Sequence, residues 1–136
     1  MTFVGIFPLL LTLSLFSQST KNIEKAFFQN DPRLVYSLLS TRNHINISLP
    51  EPISFSDQLS SEQAFFLFRQ IYSTFSTFEF YADSELPVLA KKNTSIFKAR
   101  WSFKNKKNNN QYVLHVFFYL VNEKEWRITE IKAEKL

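Results

Sequence analysis

The sequence predicts an α+β domain in which N-terminal helices pack on an antiparallel sheet of four to five strands. Apolar residues recur at helical spacing in the first half of the chain, whereas from Thr77 onward apolar and polar residues alternate with a period of two. A chain of 136 residues has the length of one ordinary domain. We therefore expect one hydrophobic core between the helices and the sheet.

The composition excludes several classes of site. The only glycine is Gly5, the sole methionine is Met1, and the chain has no cysteine. Phosphate-binding loops, dinucleotide fingerprints and nucleophile elbows need glycine where the backbone takes a positive φ or approaches a ligand closely. Thiolate zinc sites and iron–sulfur clusters need cysteine. We expect no cofactor and no metal; a metal site at His44 would need further ligands at fixed spacing, and the sequence provides none.

The N-terminal segment has the pattern of an export signal. The first charged residue is Lys21, and residues 3–16 form an apolar run that is too short and broken for a bilayer, which needs about 20 apolar residues. Ser17 and Ser19 are small residues of the kind that signal peptidase accepts before a cut ahead of Thr20. We predict a signal peptide at residues 1–19, a single domain at residues 20–136, and a periplasmic or secreted bacterial protein with no transmembrane segment in its mature chain. A buried first helix is the alternative interpretation.

Two helices are predicted before residue 40. Ser19 or Thr20 can cap the first, whose apolar positions are Ile23, Ala26 and Phe27. The sequence Asn30-Asp31-Pro32 interrupts it and starts the second helix, because aspartate is a good N-cap and proline a good first helical residue. The apolar positions of the second helix are Leu34, Val35, Leu38 and Leu39.

A short strand and a third helix follow. Residues 45–49 alternate as a strand that Pro50 and Pro52 end, and a polar loop is expected after them. Ser60 and Gln63 form a capping box for a helix of about 15 residues. Its apolar face is wide and consists of Ala64, Phe65, Leu67, Phe68, Ile71, Tyr72 and Phe75.

The second half of the chain predicts strands. Phe78, Phe80 and Ala82 alternate with polar or exposed positions in the first strand. The second strand has one apolar face, and its other face carries Lys98, Arg100 and Lys104. The apolar residues of that strand are Phe97, Ala99, Trp101 and Phe103.

The last two strands differ in pattern. Asparagines 108–110 can supply the positive φ of a hairpin turn, and residues 112–121 are apolar on both faces. That pattern predicts a central strand covered on both sides. In the final strand the apolar positions change phase after Ile128, which predicts a β-bulge near Thr129 and Glu130.

The order of these elements, ending in Trp126-Arg127-Ile128-Thr129-Glu130-Ile131, resembles the nuclear-transport-factor-two-like, cystatin-like superfamily. The helix broken at Gln29-Asn30-Asp31 and the following Asn46-Ile47-Ser48-Leu49 strand are similar to small exported bacterial domains of unknown function. The resemblance covers residues 21–134. It implies a strongly curved sheet that wraps the helices as a cone with a pocket at its open end. Many members are isomerases, dehydratases or cyclases, and many others only bind.

The resemblance implies a pocket, and the candidates for its lining residues are Tyr72, Trp101, His115 and Tyr119. His115 is the best single candidate for a general base, with Tyr119 on the same strand face and Tyr72 on the facing helix. No Asp or Glu occurs between Ile96 and Val121, where the isomerase-type relatives place an acid or base on the sheet. We therefore assign no catalytic residue and keep an isomerase- or dehydratase-type enzyme that uses His115 and a tyrosine as the alternative.

The remaining candidate surface is basic. The net charge is +4, and Lys98, Arg100 and Lys104 share one strand face. Nucleic acid is not expected, because Trp101 and Phe103 alternate onto the opposite face and cannot stack on bases there. The prediction is an exported, non-catalytic binding or accessory domain whose partner is a small apolar ligand or an anionic component of the cell envelope. Tyr81 on the sheet would suit a homodimer.

Overall fold

The computed structural model describes the backbone of residues 7–83, 88–91 and 93–136, and side chains from Gln18 to Asp83 and from Asn93 onward. The helices are α1 (Phe7–Phe28), α2 (Pro32–Ser37) and α3 (Ser61–Thr74). The strands are β1 (Ile45–Leu49), β2 (Phe55–Leu59), β3 (Phe75–Ala82), β4 (Val88–Lys91), β5 (Thr94–Asn105), β6 (Gln111–Glu123) and β7 (Glu125–Lys135). The α+β class is confirmed.

The first helix differs from the prediction at its start. It begins at Phe7 and continues past Ser19 and Thr20, so the predicted cap at these residues is wrong. Residues 9–28 contain no proline or glycine, so no helix-breaking residue interrupts α1 at Ser19 or Thr20. The predicted signal peptide lies partly outside the described residues. No helix in the described ranges is long and apolar enough to span a membrane.

The break between α1 and α2 is confirmed. Asn30 takes a positive φ of 53°, which asparagine tolerates better than most residues. The Asp31 carboxylate accepts hydrogen bonds from the backbone N–H groups of Arg33 and Leu34 at 3.0 and 3.2 Å. Asp31 is thus the N-cap of α2, and Pro32 is its first residue.

The capping box of α3 is confirmed by both of its hydrogen bonds. The Ser60 Oγ accepts from the Gln63 N–H at 3.2 Å, and the Gln63 Oε1 accepts from the Ser60 N–H at 2.9 Å. The helix ends at Thr74, and Phe75 already belongs to β3. Its buried residues are Ala64, Phe68, Ile71 and Tyr72.

The strands form one sheet in the order β2-β1-β7-β6-β5-β3, with β4 also paired to β5. All pairs are antiparallel except β1 with β7. The central position predicted for β6 is confirmed, and Asn109 supplies the positive φ of the β5–β6 turn at 61°. The sheet has seven strands and is larger than expected, because β4 was not predicted and β2 lies where a polar loop was predicted. Its middle residues, Ser56, Asp57 and Gln58, are all exposed, so the strand shows no alternation of apolar and polar residues.

One face of the sheet is buried and the other is not. On β6 the buried residues are Leu114, Val116, Phe118 and Leu120, which define the inner face. The alternate residues, Val113, His115, Phe117, Tyr119 and Val121, are only half-buried and define the outer face. The prediction that β6 is covered on both sides is wrong for the part of the chain that the structure describes. The helices in that part pack on the inner face alone.

Two bulges shape the sheet. In β3 the register shifts between Thr77 and Glu79, so Phe78 is the extra residue. Phe78 was predicted to face inward, but the bulge leaves it exposed and buries Thr77 instead. In β7 Ile128 pairs with Leu120 and Glu130 with Tyr119, which confirms the predicted bulge at Thr129. This bulge places four apolar residues on the inner face: Trp126, Ile128, Ile131 and Ala133.

Candidate functional site

The space between the helices and the inner face is filled by aromatic rings. The Phe27 ring from α1 contacts five others, at centroid distances from 4.9 to 6.1 Å. We call this set the aromatic core cluster; its members around Phe27 are Phe68, Tyr72, Phe80, Trp101 and Phe118. All are buried. Close packing of this kind is the normal state of a protein core, and here it occupies the centre of the predicted cone.

Two predicted pocket residues, Tyr72 and Trp101, belong to the aromatic core cluster. The Trp101 Nε1 donates a hydrogen bond to the Thr77 Oγ1 at 2.9 Å. The Tyr72 hydroxyl is buried and has no hydrogen-bond partner among the described residues. Burial, with a smaller effect from the Asp31 carboxylate, raises the pKa of Tyr72 well above its ordinary value. Its hydroxyl is therefore a neutral core group at physiological pH.

The other two predicted pocket residues, His115 and Tyr119, lie on the outer face. The His115 Nε2 is 3.9 Å from the Asp83 Oδ2, and both side chains are partly exposed. Asp83 follows β3, so sequence reasoning that searched β5 and β6 for a carboxylate did not find it. His115 and Tyr72 are on opposite sides of the sheet. The combination of His115 with Tyr72 that the isomerase-type alternative considered is thus not assembled.

The basic surface also lies on the outer face, where acidic residues accompany it. The Arg100 Nε is 4.0 Å from the Glu79 Oε1, and the Lys98 Nζ is 5.3 Å from the centroid of the Phe117 ring. Lys104 is exposed and pairs with Gln111 across β5 and β6. Together with Glu79 and Asp83, these residues give the outer face charges of both signs.

A groove of about 420 Å³ lies outside the aromatic core cluster, between the β1–β2 turn and the C-terminal half of α3. We call it the α3 groove. Its apolar lining residues are Pro52, Ile53, Phe55, Leu67, Ile71 and Phe75. Its polar lining residues are Gln70, Thr74 and Asn105, and none of the described lining residues is ionisable.

The β1–β2 turn forms one wall of the α3 groove. The backbone N–H groups of Ile53 and Ser54 both donate to the Pro50 carbonyl, at 3.1 and 3.0 Å. Ser54 takes a positive φ of 55° within this tight turn. The turn directs Ile53 and Phe55 toward α3, where both pack against the core as partly buried residues.

The β5–β6 hairpin closes the groove at the end of α3. The Lys106 Nζ donates to the Tyr72 carbonyl at 2.7 Å, and the Lys106 N–H donates to the Thr74 carbonyl at 2.9 Å. These bonds satisfy carbonyls that the last turn of a helix leaves free, and the lysine charge is favourable at the negative end of the helix dipole. They also hold Asn105 beside Thr74 as a lining residue.

Comparison with known proteins shows similarity in structure. No family model and no curated protein matches the sequence. A ketosteroid isomerase-like protein from Erwinia carotovora atroseptica matches with a TM-score of 0.70 and 12% identity, over 91% of this chain and 95% of that one. A putative dehydratase of the NTF2-like family from Streptomyces avermitilis matches with a TM-score of 0.65 and 8% identity, over 93% and 97%.

A third solved structure is a domain of unknown function with a cystatin-like fold from Nostoc punctiforme. It matches with a TM-score of 0.67 and 6% identity, over 93% of this chain and 78% of that one. This chain has the NTF2-like fold. The similarity predicted from the order of elements is therefore confirmed, and at these identities it establishes the NTF2-like fold alone.

On this NTF2-like fold, the α3 groove is the part of the candidate site that the sequence did not predict. Its wall residues Ile53 and Phe55 come from the segment expected to be a polar loop. The available signal was short: Ile53 and Phe55 alternate with Ser54 and Ser56 where the chain enters β2, as is typical of a strand, although the alternation does not continue through β2. Among the described side chains, no three or more histidine, aspartate or glutamate residues come together in a way that could hold a metal ion.

Proposed function

We propose that this chain is an exported, non-catalytic module that binds a small, uncharged and largely apolar ligand in the α3 groove. The observation that carries the proposal is the lining of the groove, which consists of six apolar and three neutral polar residues. Ligand sites are commonly mostly apolar concavities with a few polar groups that orient the ligand. A groove of about 420 Å³ is within the size range of small-molecule sites.

The absence of charge in the described lining supports a neutral ligand. A charged group would lose hydration on entering the groove and would find no opposite charge among the described lining residues. Gln70, Thr74 and Asn105 offer amide and hydroxyl groups that can hydrogen-bond a carbonyl or hydroxyl of the ligand. An anionic envelope component is less well supported, because acidic residues accompany the basic ones on the outer face.

A binding role is favoured over catalysis because of where the titratable groups lie. General acid–base catalysis needs such a group within hydrogen-bond reach of the bound substrate. His115 is on the outer face, away from the α3 groove, and Tyr72 is a neutral member of the aromatic core cluster. The proteins named isomerase and dehydratase share the fold with this chain, but a shared fold does not carry the chemistry with it.

Export is the part of the proposal that rests on the N-terminal sequence. Cleavage ahead of Thr20 would leave Ile23, Ala26 and Phe27, the core residues of α1 in its described part from Gln18 onward. The mature domain would therefore keep these core contacts. Mass spectrometry of the protein recovered from the periplasm of a bacterial host should give the mass of residues 20–136, whereas an uncleaved chain found only in the cytoplasm would contradict export.

Binding in the α3 groove is tested with N-phenyl-1-naphthylamine, an uncharged dye whose fluorescence increases in apolar surroundings. Thr74→Trp places a large ring in the groove and should weaken dye binding at least tenfold. Ser73→Trp is the matched control, because Ser73 is exposed on the same helix and does not line the groove. Equal dye binding by both variants would contradict the proposal.

A further inference from the structure

A second cluster of aromatic side chains lies at the surface where α2 meets α3. It lines a cleft of about 330 Å³, and we call it the helix-face patch; its residues are Arg33, Tyr36, Glu62, Phe65 and Phe66. Phe66 is 59% exposed and Tyr36 is 41% exposed. Exposed apolar clusters of this kind mark interaction surfaces more often than isolated exposed rings do.

The fold holds the rings of the helix-face patch in place. Tyr36 and Phe65 meet edge to face with centroids 6.0 Å apart, and Phe65 and Phe66 with centroids 5.3 Å apart. Tyr36 follows the buried residue Val35 on α2. Phe65 and Phe66 lie between Ala64 and Phe68, which anchor α3 to the core. The patch is therefore preorganised, so its side chains lose little conformational entropy when a partner covers it.

The charges of the helix-face patch are complementary to each other. Arg33 and Glu62 have opposite signs, and neither takes part in a side-chain ion pair among the described residues. A two-fold axis that passes between Arg33 and Glu62 would place Arg33 beside Glu62 of the partner subunit, and the reverse contact would form by symmetry. The same arrangement would bring the exposed Phe66 of each copy against the patch of the other copy.

We infer that the helix-face patch binds the same patch of a second copy of this chain. This interface goes beyond the proposed ligand function and is separate from the outer face on which Tyr81 suggested a homodimer. The α3 groove uses Leu67, Gln70, Ile71 and Thr74, whereas the patch uses Glu62, Phe65 and Phe66 on the same helix. One copy can therefore bind a ligand in the α3 groove and a second copy at the helix-face patch at the same time.

The expected association is weak. The helix-face patch consists of five residues, whereas a standard stable interface has roughly 20–30 residues on each side. We expect a dissociation constant on the order of 10⁻⁵ to 10⁻⁴ M, within reach of analytical ultracentrifugation over a concentration series.

The test is a charge-swap series measured by sedimentation equilibrium on the full chain. Arg33→Glu and Glu62→Arg should each weaken dimerisation at least tenfold, because each places like charges opposite one another. The double variant should restore it to within about threefold, since both ion pairs form again with reversed sign. Phe66→Ser should abolish it. Thermal melting of each variant verifies that these exposed substitutions leave the monomer folded.

The matched control is Tyr81→Ser on the outer face, which should leave the dimerisation constant unchanged. Failure of the double variant to recover would overturn the inference, as would a chain that stays monomeric at all concentrations. Loss of the dimer in Tyr81→Ser but not in Phe66→Ser would assign the interface to the outer face. Binding of the monomeric chain to phospholipid vesicles that Phe66→Ser abolishes would assign the patch to a membrane surface.

Discussion

The aromatic core cluster and the helix-face patch use the same residue types in different surroundings. Phe27 is 1% exposed and touches rings from α3 and from three strands, whereas Phe66 is 59% exposed on the opposite side of α3 from the core. The first set contributes stability through burial, and the second leaves apolar area accessible. An aromatic-rich composition therefore does not predict a function. Whether a ring stabilises the core or offers an accessible apolar surface depends on its position relative to the sheet.

The largest effect is expected for Phe27→Ala, with Phe28→Ala as its control. Phe27 is in the centre of the aromatic core cluster, while its neighbour Phe28 is 58% exposed. Removing the buried ring should lower the free energy of unfolding by about 3–5 kcal/mol, and removing the exposed one should change it by about 0.5 kcal/mol or less. Chemical denaturation followed by tryptophan fluorescence measures both. Similar losses of unfolding free energy in the two variants would show that Phe27 is not buried while Phe28 is exposed, as described.

The next test compares two polar groups within the aromatic core cluster. Thr77→Val removes the acceptor of the Trp101 Nε1 and should lower the free energy of unfolding by about 1–2 kcal/mol. Tyr72→Phe removes a buried hydroxyl that has no partner among the described residues, and should raise the free energy of unfolding by about 1 kcal/mol. A loss of stability in Tyr72→Phe would indicate that its hydroxyl is hydrogen-bonded in solution.

The Tyr72→Phe variant also has a pH signature. Since the pKa of Tyr72 is raised in the folded state, the unfolded chain ionises first once the pH passes the ordinary value of 10.0. The folded protein should therefore lose stability as the pH rises above that value. The variant should lack this part of the loss, which melting curves across the alkaline range can detect.

The smallest effect is expected at Glu24, on the partly exposed side of α1. Burial raises the pKa of Glu24, an effect that the Ala82 backbone hydrogen bond and Lys21 partly oppose. The folded state therefore holds this proton more tightly than the unfolded chain, and stability falls as the pH rises from the ordinary value of 4.5 through the folded pKa. Glu24→Gln should raise the melting temperature slightly at pH 7 and leave it unchanged below pH 4.5. An equal shift at both pH values would contradict this explanation.

The features predicted correctly from the sequence are those that neighbouring residues determine. The cap at Asp31, the capping box of Ser60 and Gln63, and the bulge at Thr129 each depend on a few adjacent side chains. The inner faces of β5 and β6 follow from the same local alternation.

The features that were missed depend on contacts between distant segments. The α3 groove forms where the β1–β2 turn meets α3, and β2 shows no alternation because Ser56, Asp57 and Gln58 are all exposed at the sheet edge. His115 and Tyr72 can be assigned to opposite sides only when the helices are known to cover one face. Phe78 faces outward because it is the extra residue of a bulge, and no single residue in that strand signals the bulge.

The parallel pairing of β1 with β7 has a consequence for how the chain acquires its structure. Residues 46–48 pair with residues 130–132, so a strand from the first half of the chain reaches its place in the sheet only beside the final strand. Contacts between segments so far apart in sequence raise the contact order, which slows folding. On the ribosome, the β1–β2 hairpin would wait until β7 has been synthesised. A chain truncated before β7 would lose the strand that holds this hairpin, and with it the wall of the α3 groove that the β1–β2 turn forms.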